Sequence, residues 1–316
     1  MKTNRVTLVS LTGGLGNQLF QLAAGLSISK EKPLSLEWGL GKPRTGSDGL
    51  PDLFTFNLPK NVITQSARKS NWLASKATGF MLRMAIAPKC LERMPGFFFI
   101  SRILASFVTS LYFRRPYLML ASKSVGYSTL GNKALGKFLV GYFQSYMYPS
   151  NNLTSSFLKA LSVKQECKEL IRYKNLAIIE QPLVVHIRLG DYKNEEHFGV
   201  LSASYYSTAV KVMWESQKYK KIWVFSDEPE LARALYSNIF PNELRWIPEI
   251  DNSAAKTLEL MRHGHGYVIG NSTFSWWGAY LSYTREAKVI APEPWFKTLP
   301  SPNLLIPPNW ETIRAW

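Results

Sequence analysis

Apolar positions along this chain fall into two alternating rhythms. Val6–Leu11 is a short run of apolar and β-branched residues, which predicts a first buried strand. The turn TGGLGN follows. In QLFQLAAGLSIS, residues Leu19, Leu22, Ala23 and Leu26 recur on one helical stripe. Pro, Gly, Asp and Ser then predict loops from Lys42 to about Asn61. Phe138–Phe143 reads as another short strand, and Ser150 to about Lys174 as a helical connector.

From residue 183 the alternation becomes regular. Leu183–Ile187, Lys221–Phe225, Tyr267–Ile269 and Lys288–Ile290 read as strands. Ser202–Gln217, Glu228–Ser237, Ala254–Arg262 and Phe274–Tyr283 read as helices. Strand–helix alternation with short turns implies an α/β chain whose parallel sheet is covered on both faces. Ligands of such sheets gather at the carboxyl ends of the strands. The Pro- and Trp-rich tail from Ala291 is expected to lie over a domain surface.

Charge changes the picture in the middle of the chain. The formal net charge is +16, which points to anionic partners such as phosphorylated substrates, nucleic acid or an anionic membrane. Between Arg68 and Lys123 stand ten basic residues and one acid, Glu92, among many aromatic and aliphatic side chains. That mixture predicts helices lying on an anionic membrane surface; the plainer reading is core helices with solvated charges. Arg102 sits inside PGFFFISRILASFVTSLYF, where a central arginine opposes spanning by about 2.5–3.5 kcal/mol. The N-terminus lacks the long apolar region of a signal peptide. Two widely separated cysteines, Cys90 and Cys167, fit a reducing compartment. A cytoplasmic location is the expectation.

Four short motifs carry the candidate chemistry. Gly13–Gln18, GGLGNQ, joins strand to helix; Gly14 and Gly16 allow close backbone approach to a ligand, and a tight turn is the plainer reading. It lacks the third glycine of a dinucleotide fingerprint and the lysine of a phosphate loop. In HIRLGDY, His186 and Arg188 are two apart at a strand end, so they share a face. Arg188 offers a planar, permanent charge suited to a diphosphate; the competing reading is an Arg–Asp pair closing a loop. In SDEPE, Asp227 suits ribose hydroxyls or a base edge, or else caps the next helix. In NSTFSWWG, Asn271, Ser272, Thr273 and Ser275 surround a helix start and predict an anion site. No Asp-x-Asp, G-x-S-x-G, Cys-x-x-Cys or His-Glu-x-x-His occurs, so a cationic side chain rather than a metal is expected to neutralise phosphate.

GGLGNQLFQLAAG, GYFQS, HIRLGDY, SYYSTAV, FSDEPE and GNSTFSWWGAYLS occur in that order. Together they resemble the bacterial α-1,2-fucosyltransferases of glycosyltransferase family 11, over roughly residues 6–30, 138–148 and 183–297. The resemblance implies a GT-B architecture, two Rossmann-like domains facing across a cleft. We expect residues 1–172 as the acceptor-side domain and 173–316 as the nucleotide-sugar domain. It further implies metal-independent, inverting transfer of L-fucose from GDP-β-L-fucose to O2 of a terminal galactoside, with no cofactor. Carried over, Arg188 binds the diphosphate with His186 beside it, Asp191 counts among the donor-binding residues, Asp227 lies near the nucleoside, Ser272 and Thr273 hold the β-phosphate, and Asn17 faces the sugar. Two departures stand out. Leu189 occupies the usual second arginine of His-x-Arg-Arg-Gly-Asp-Tyr. Thr257, with Glu259 close by, occupies a position that is often acidic and suited to guanine. GDP-colitose is therefore a competing donor.

Inversion needs an acceptor hydroxyl in line with the departing diphosphate, and a general base helps by about 10²–10⁴-fold. Glu196 is the candidate base, with Asp191 and Glu195 as rivals. The acceptor is expected to be a lipid-linked surface-polysaccharide (O-antigen) intermediate. The enzyme is expected at the inner face of a bacterial inner membrane. The competing classes are a nucleic-acid binder and a non-enzymatic membrane-surface protein. No nucleic-acid module is visible, and the charge is concentrated in an apolar segment.

Overall fold

A computed structural model describes residues 6–64, 71–86, 95–128, 137–216, 219–241 and 244–316. Cys90 and parts of the basic middle segment, residues 68–70 and 87–94, lie outside the described residues. The chain divides into two compact units, Met1–Leu161 with Pro302–Leu305, and Ser162–Ser301 with Ile306–Trp316.

The first unit is built on a parallel sheet. Its strands are β1 (Thr7–Ser10), β2 (Leu34–Glu37), β3 (Val62–Thr64), β4 (Met119–Ala121) and β5 (Phe138–Val140), in the order β3-β2-β1-β5-β4. Helix α1 (Leu15–Ser29) follows β1 and is buried over most of its length. A helix buried over most of its length has neighbours on most sides, and its buried Gln18 and Gln21 must find polar partners there. Helices α2 (Trp72–Ile86) and α3 (Pro95–Phe113) pack on each other and on β4. Their inward residues Ala74, Met81, Leu82, Phe98 and Ala105 form one core with Phe138 and Val140. Helix α4 (Asn152–Lys159) closes the unit, its N-terminus capped by the Asn151 side chain.

The second unit holds helix α5 (Lys168–Glu180) and strands β6 (Leu183–Ile187), β7 (Ile222–Ser226), β8 (Leu244–Ile247), β9 (Gly266–Val268), β10 (Lys288–Glu293) and β11 (Glu311–Arg314). Between them run α6 (Ala203–Ser216), α7 (Pro229–Tyr236), α8 (Ala254–Met261) and α9 (Thr273–Tyr280). Every strand–helix element expected after residue 183 is present, with ends shifted by a few residues. The strand order is β11-β10-β9-β6-β7-β8, all parallel. Counted within the unit, this is the 3-2-1-4-5-6 order of doubly wound folds, which reverses direction between β6 and β9. Leu183, Val185, Ile187 and Leu189 point into the core under α6. Leu189 is 1% exposed; where the family pattern has a second arginine, this chain has a core residue.

The tail departs from expectation. Rather than lying over a surface, residues 311–314 pair with β10 as an edge strand. Ala315 is fully buried, and Leu305 packs within the first unit. Short polar segments such as ETIR carry little periodic signal, so the missing information is the neighbour that pairs with them.

Candidate functional site

The carboxyl ends of β9, β6 and β7 are neighbours in the second sheet, and the corners that follow them meet at Arg188. Its Nη2 donates to Asp191 Oδ1 at 2.6 Å and its Nε to the same oxygen at 3.0 Å. Nη1 lies 3.1 Å from Asp227 Oδ2. Beneath the guanidinium is the Tyr192 ring, 5.4 Å from Cζ to the ring centre. Burial works against the Arg188 charge, and Asp227 and Asp191 outweigh it, so the group is held above its ordinary range.

The two carboxylates differ in attachment. Asp227 Oδ1 also accepts the Leu189 N–H at 2.9 Å, so it closes the HIRLGD turn from the next strand. It does not cap α7, whose Glu228 N-cap has no side-chain bond. A Cβ on Gly190 would stand 2.3 Å from Asp227 Oδ2, so only glycine admits the carboxylate there. Asp191 has no second anchor among the described residues, and its side chain is 61% exposed.

The β9 corner joins through Tyr192, whose hydroxyl donates to the Asn271 carbonyl at 3.2 Å. The Asn271 side chain donates to the Phe198 and Gly199 carbonyls at 3.0 and 3.1 Å. Ser272 Oγ caps α9 by accepting the Phe274 N–H. Ser275 Oγ donates to the Gly270 and Ser272 carbonyls. Three of the four small polar side chains thus hold the corner itself. The Thr273 hydroxyl, half-buried, makes no hydrogen bond among the described residues.

His186 is 4% exposed, and its Nδ1 has no partner among the described residues. Burial, and then the Arg188 charge, pull its pKa down to about 3, so the ring is neutral beside the arginine. The SYYSTAV helix supports this end of the sheet. Tyr206 Oη donates to the His186 carbonyl at 3.1 Å, and Tyr205 Oη to the Ile269 carbonyl at 2.6 Å. Sequence marks these two tyrosines only as part of SYYSTAV; adjacent tyrosines on an apolar helix signal only packing until their acceptors are known.

Several expected residues lie elsewhere. Glu196 is exposed on the loop after the Asp191–Asn194 turn, as is Glu195. Thr257 Oγ1 accepts the Ile250 N–H at 2.9 Å. Glu259 is 2% exposed and bound to Arg262, Tyr283 and Lys174. Neither offers an open acid for a base edge.

In the first unit, the carboxyl ends of β1, β2 and β5 are likewise adjacent. Gly13 has φ +69°, and its absent side chain leaves room for Asn17 Nδ2, so the turn needs glycine. Gln18 donates to the Gly13 and Arg44 carbonyls and accepts the Leu53 N–H. Gln21 accepts the Thr12 N–H at 2.9 Å and donates to the Gly141 carbonyl at 3.1 Å. Asn17 Oδ1 accepts from Gln144 Nε2 at 3.0 Å, which brings GGLGNQ and GYFQS together. Gly14 is the N-cap of α1, with no atom within 4 Å of where a Cβ would sit. Gly16 is buried in the first turn of the helix.

One acid in this corner is not among the expected residues. Glu37 ends β2 opposite Ser10 of β1. Its Oε1 accepts the Leu40 N–H at 3.0 Å, while its buried Oε2 has no partner among the described residues. Burial outweighs the backbone hydrogen bonds and raises its pKa to about 7. The sequence hint is faint: a glutamate inside the otherwise strand-like LSLEW.

A family model described as glycosyl transferase family 11 matches residues 6–312. An alpha-1,2-colitosyltransferase of Escherichia coli is 28% identical over 307 residues, spanning 92% of this chain and 93% of that protein. The O-antigen biosynthesis glycosyltransferase WbnK, also of Escherichia coli, is 27% identical over 308 residues, spanning 90% and 93%. Among solved structures, the ADP-heptose LPS heptosyltransferase II of E. coli superposes with a TM-score of 0.50 at 10% identity, covering 98% of this chain and 90% of that one.

Proposed function

The chain belongs to glycosyl transferase family 11 and is a glycosyltransferase of the α/β, GT-B type; from that premise we propose that it moves L-fucose from GDP-β-L-fucose to O2 of a terminal galactoside, with inversion. The acceptor we infer is an O-antigen intermediate carried on lipid; the name of one relative supports the O-antigen part of that reading. The observation that carries the donor reading is the position of Arg188. It lies at the carboxyl end of β6, beside the point where the strand order reverses, which is where doubly wound sheets bind nucleotides.

In this reading the second unit takes the donor and the first unit the acceptor. The diphosphate takes the place of Asp191 on the guanidinium. Asp191 is mostly exposed, and a surface ion pair contributes only about 0–1 kcal/mol, so turning it to solvent costs little. Asp227 stays, held by the Leu189 N–H, and keeps the arginine aimed. Thr273 and the free amides of the α9 start add neutral donors for phosphate. Arg188 then stabilises the charge that grows on the leaving GDP as the anomeric C–O bond breaks. The acceptor oxygen forms the new bond on the opposite face, and its proton passes to a base. Glu196 stays the candidate base, and Glu37, whose pKa burial raises to about 7, is a rival, since a base works best when its pKa lies near the working pH. Asn17 and Gln144 orient the acceptor. No metal is assigned a step, so a chelator is expected to leave transfer unchanged.

A second donor has a specific observation behind it. The relative named an alpha-1,2-colitosyltransferase makes GDP-colitose a direct competitor with the same linkage. Purified protein incubated with GDP-fucose, GDP-colitose and UDP-sugars, each with a β-galactoside, decides between them. Product mass identifies the sugar, and NMR identifies the linked oxygen. A product from a UDP-sugar alone overturns the donor reading.

A further inference from the structure

Helix α3 keeps one face in the first unit and turns the other outward. Phe98, Ala105, Thr109 and Phe113 are buried. Ile100, Ile103, Leu104, Phe107 and Leu111 are exposed by 58, 47, 61, 64 and 64%. Their spacing of three, four, seven and eleven residues puts them on a single helical stripe. The patch continues onto α2, where Phe80 meets Phe97 edge to face at 6.2 Å. At the start of α2, Trp72 and Leu73 are 68 and 58% exposed. An exposed apolar stripe of this kind marks an interaction site.

Charge identifies the partner. Lys76 and Arg83 on α2, and Arg114 and Arg115 just after α3, are exposed, and Lys76 lies over the Trp72 ring. None of them takes part in an ion pair among the described residues, and no acid stands among the described residues from 71 to 128. A second copy of the chain would bring the same positive charges against these, with no acids to answer them. An anionic bilayer answers both the apolar stripe and the charges. Residues 96–113 are apolar and long enough to cross a bilayer. The buried face argues against crossing: a spanning α3 would have to strip Phe98, Ala105 and Phe113 from the core they share with Phe138.

The geometry points to an in-plane docking surface for anionic phospholipid, formed by the outward stripe of α3 and the start of α2, with the basic residues at headgroup level. A chain held this way meets an acceptor carried on lipid, and the inference stands whatever donor sugar the enzyme uses.

Vesicle flotation tests it. Full-length protein is mixed with vesicles of phosphatidylcholine alone, or of roughly three parts phosphatidylcholine to one part phosphatidylglycerol. The expected result is flotation with the anionic vesicles that weakens as salt rises. The double variant Leu104→Glu/Phe107→Glu, altered only at exposed positions, should bind anionic vesicles at least about tenfold more weakly. Its transfer to a soluble galactoside should be unchanged, which separates this inference from the catalytic reading. Equal binding to neutral vesicles, or binding the variant retains, overturns the proposal. So does a dimer that the variant converts to monomer without any vesicle binding; that outcome would assign the stripe to a second copy.

Discussion

Two corners of this chain share a backbone plan and differ in what holds them. Each follows a central strand of a parallel sheet, and each contains glycine. The corner after β1 is tied by neutral side chains: Gln18 and Gln21 bind four backbone carbonyls and amides besides Leu53, and Asn17 binds Gln144. The corner after β6 is tied by charge, with Arg188 shared between Asp191 and Asp227. Buried amide bonds are costly to leave unmade, so they fix a scaffold. An ion pair at a half-exposed position is worth little and yields to a stronger anion. In the proposed function, one corner stays and the other exchanges partners.

The comparison is tested first by removing the cation. Arg188→Ala should lower turnover by about 10³–10⁵-fold, the range found when an arginine that stabilises a departing phosphate is lost. Circular dichroism should show the fold intact. Transfer near the wild-type rate would remove the β6 corner from the mechanism.

Glu37→Gln comes next. If Glu37 takes the acceptor proton, turnover falls by about 10²–10⁴-fold, and the rise of kcat/KM through about pH 7 set by its pKa disappears. Stability should move the other way. With a folded pKa raised from 4.5 to about 7, the wild type keeps full stability below 4.5 and loses it between 4.5 and 7, by about 3 kcal/mol above that. The glutamine variant lacks this loss, so denaturant midpoints at pH 8 should favour it. Glu196→Gln discriminates between the two candidates: if turnover falls there and not at Glu37, the base is the exposed loop acid.

A smaller effect separates scaffold from site. Gln21→Ala leaves the Thr12 N–H and the Gly141 carbonyl unpaired. It should cost about 1–3 kcal/mol of stability, read as a lower denaturation midpoint, with GDP affinity unchanged. The smallest is Asp191→Asn. Taking away the carboxylate that competes for Arg188 should tighten GDP binding by less than about tenfold, the scale of a surface pair, measured by calorimetry. Weaker binding would make Asp191 a ligand of the donor rather than its competitor.

Much of the β6 corner is legible in the linear chain. Leu183–Ile187 announces a strand, and Arg188 at its end is an anomaly that draws notice. Leu189 reads as structural because alternation puts it opposite Arg188, and it is in the core. Glu37 escapes such a reading because one acid in a short strand has no periodic signature. Its raised pKa comes from burial among neighbours distant in sequence. Asn271 and Ser275 look like anion ligands because a linear pattern does not reveal their acceptors, Phe198, Gly199 and Gly270. The charge concentration at Arg68–Lys123 is visible in the chain, but which face of α3 points outward is not.

Local order along the chain is enough to write down strands, helices, turns and the residues that break their pattern, since side-chain period and glycine placement act over a few positions. Folding in three dimensions chose which corners became neighbours, which carboxylates reached Arg188, and which acid lost its water. Those outcomes depend on strand order and desolvation, and both are set by residues tens or hundreds of positions away.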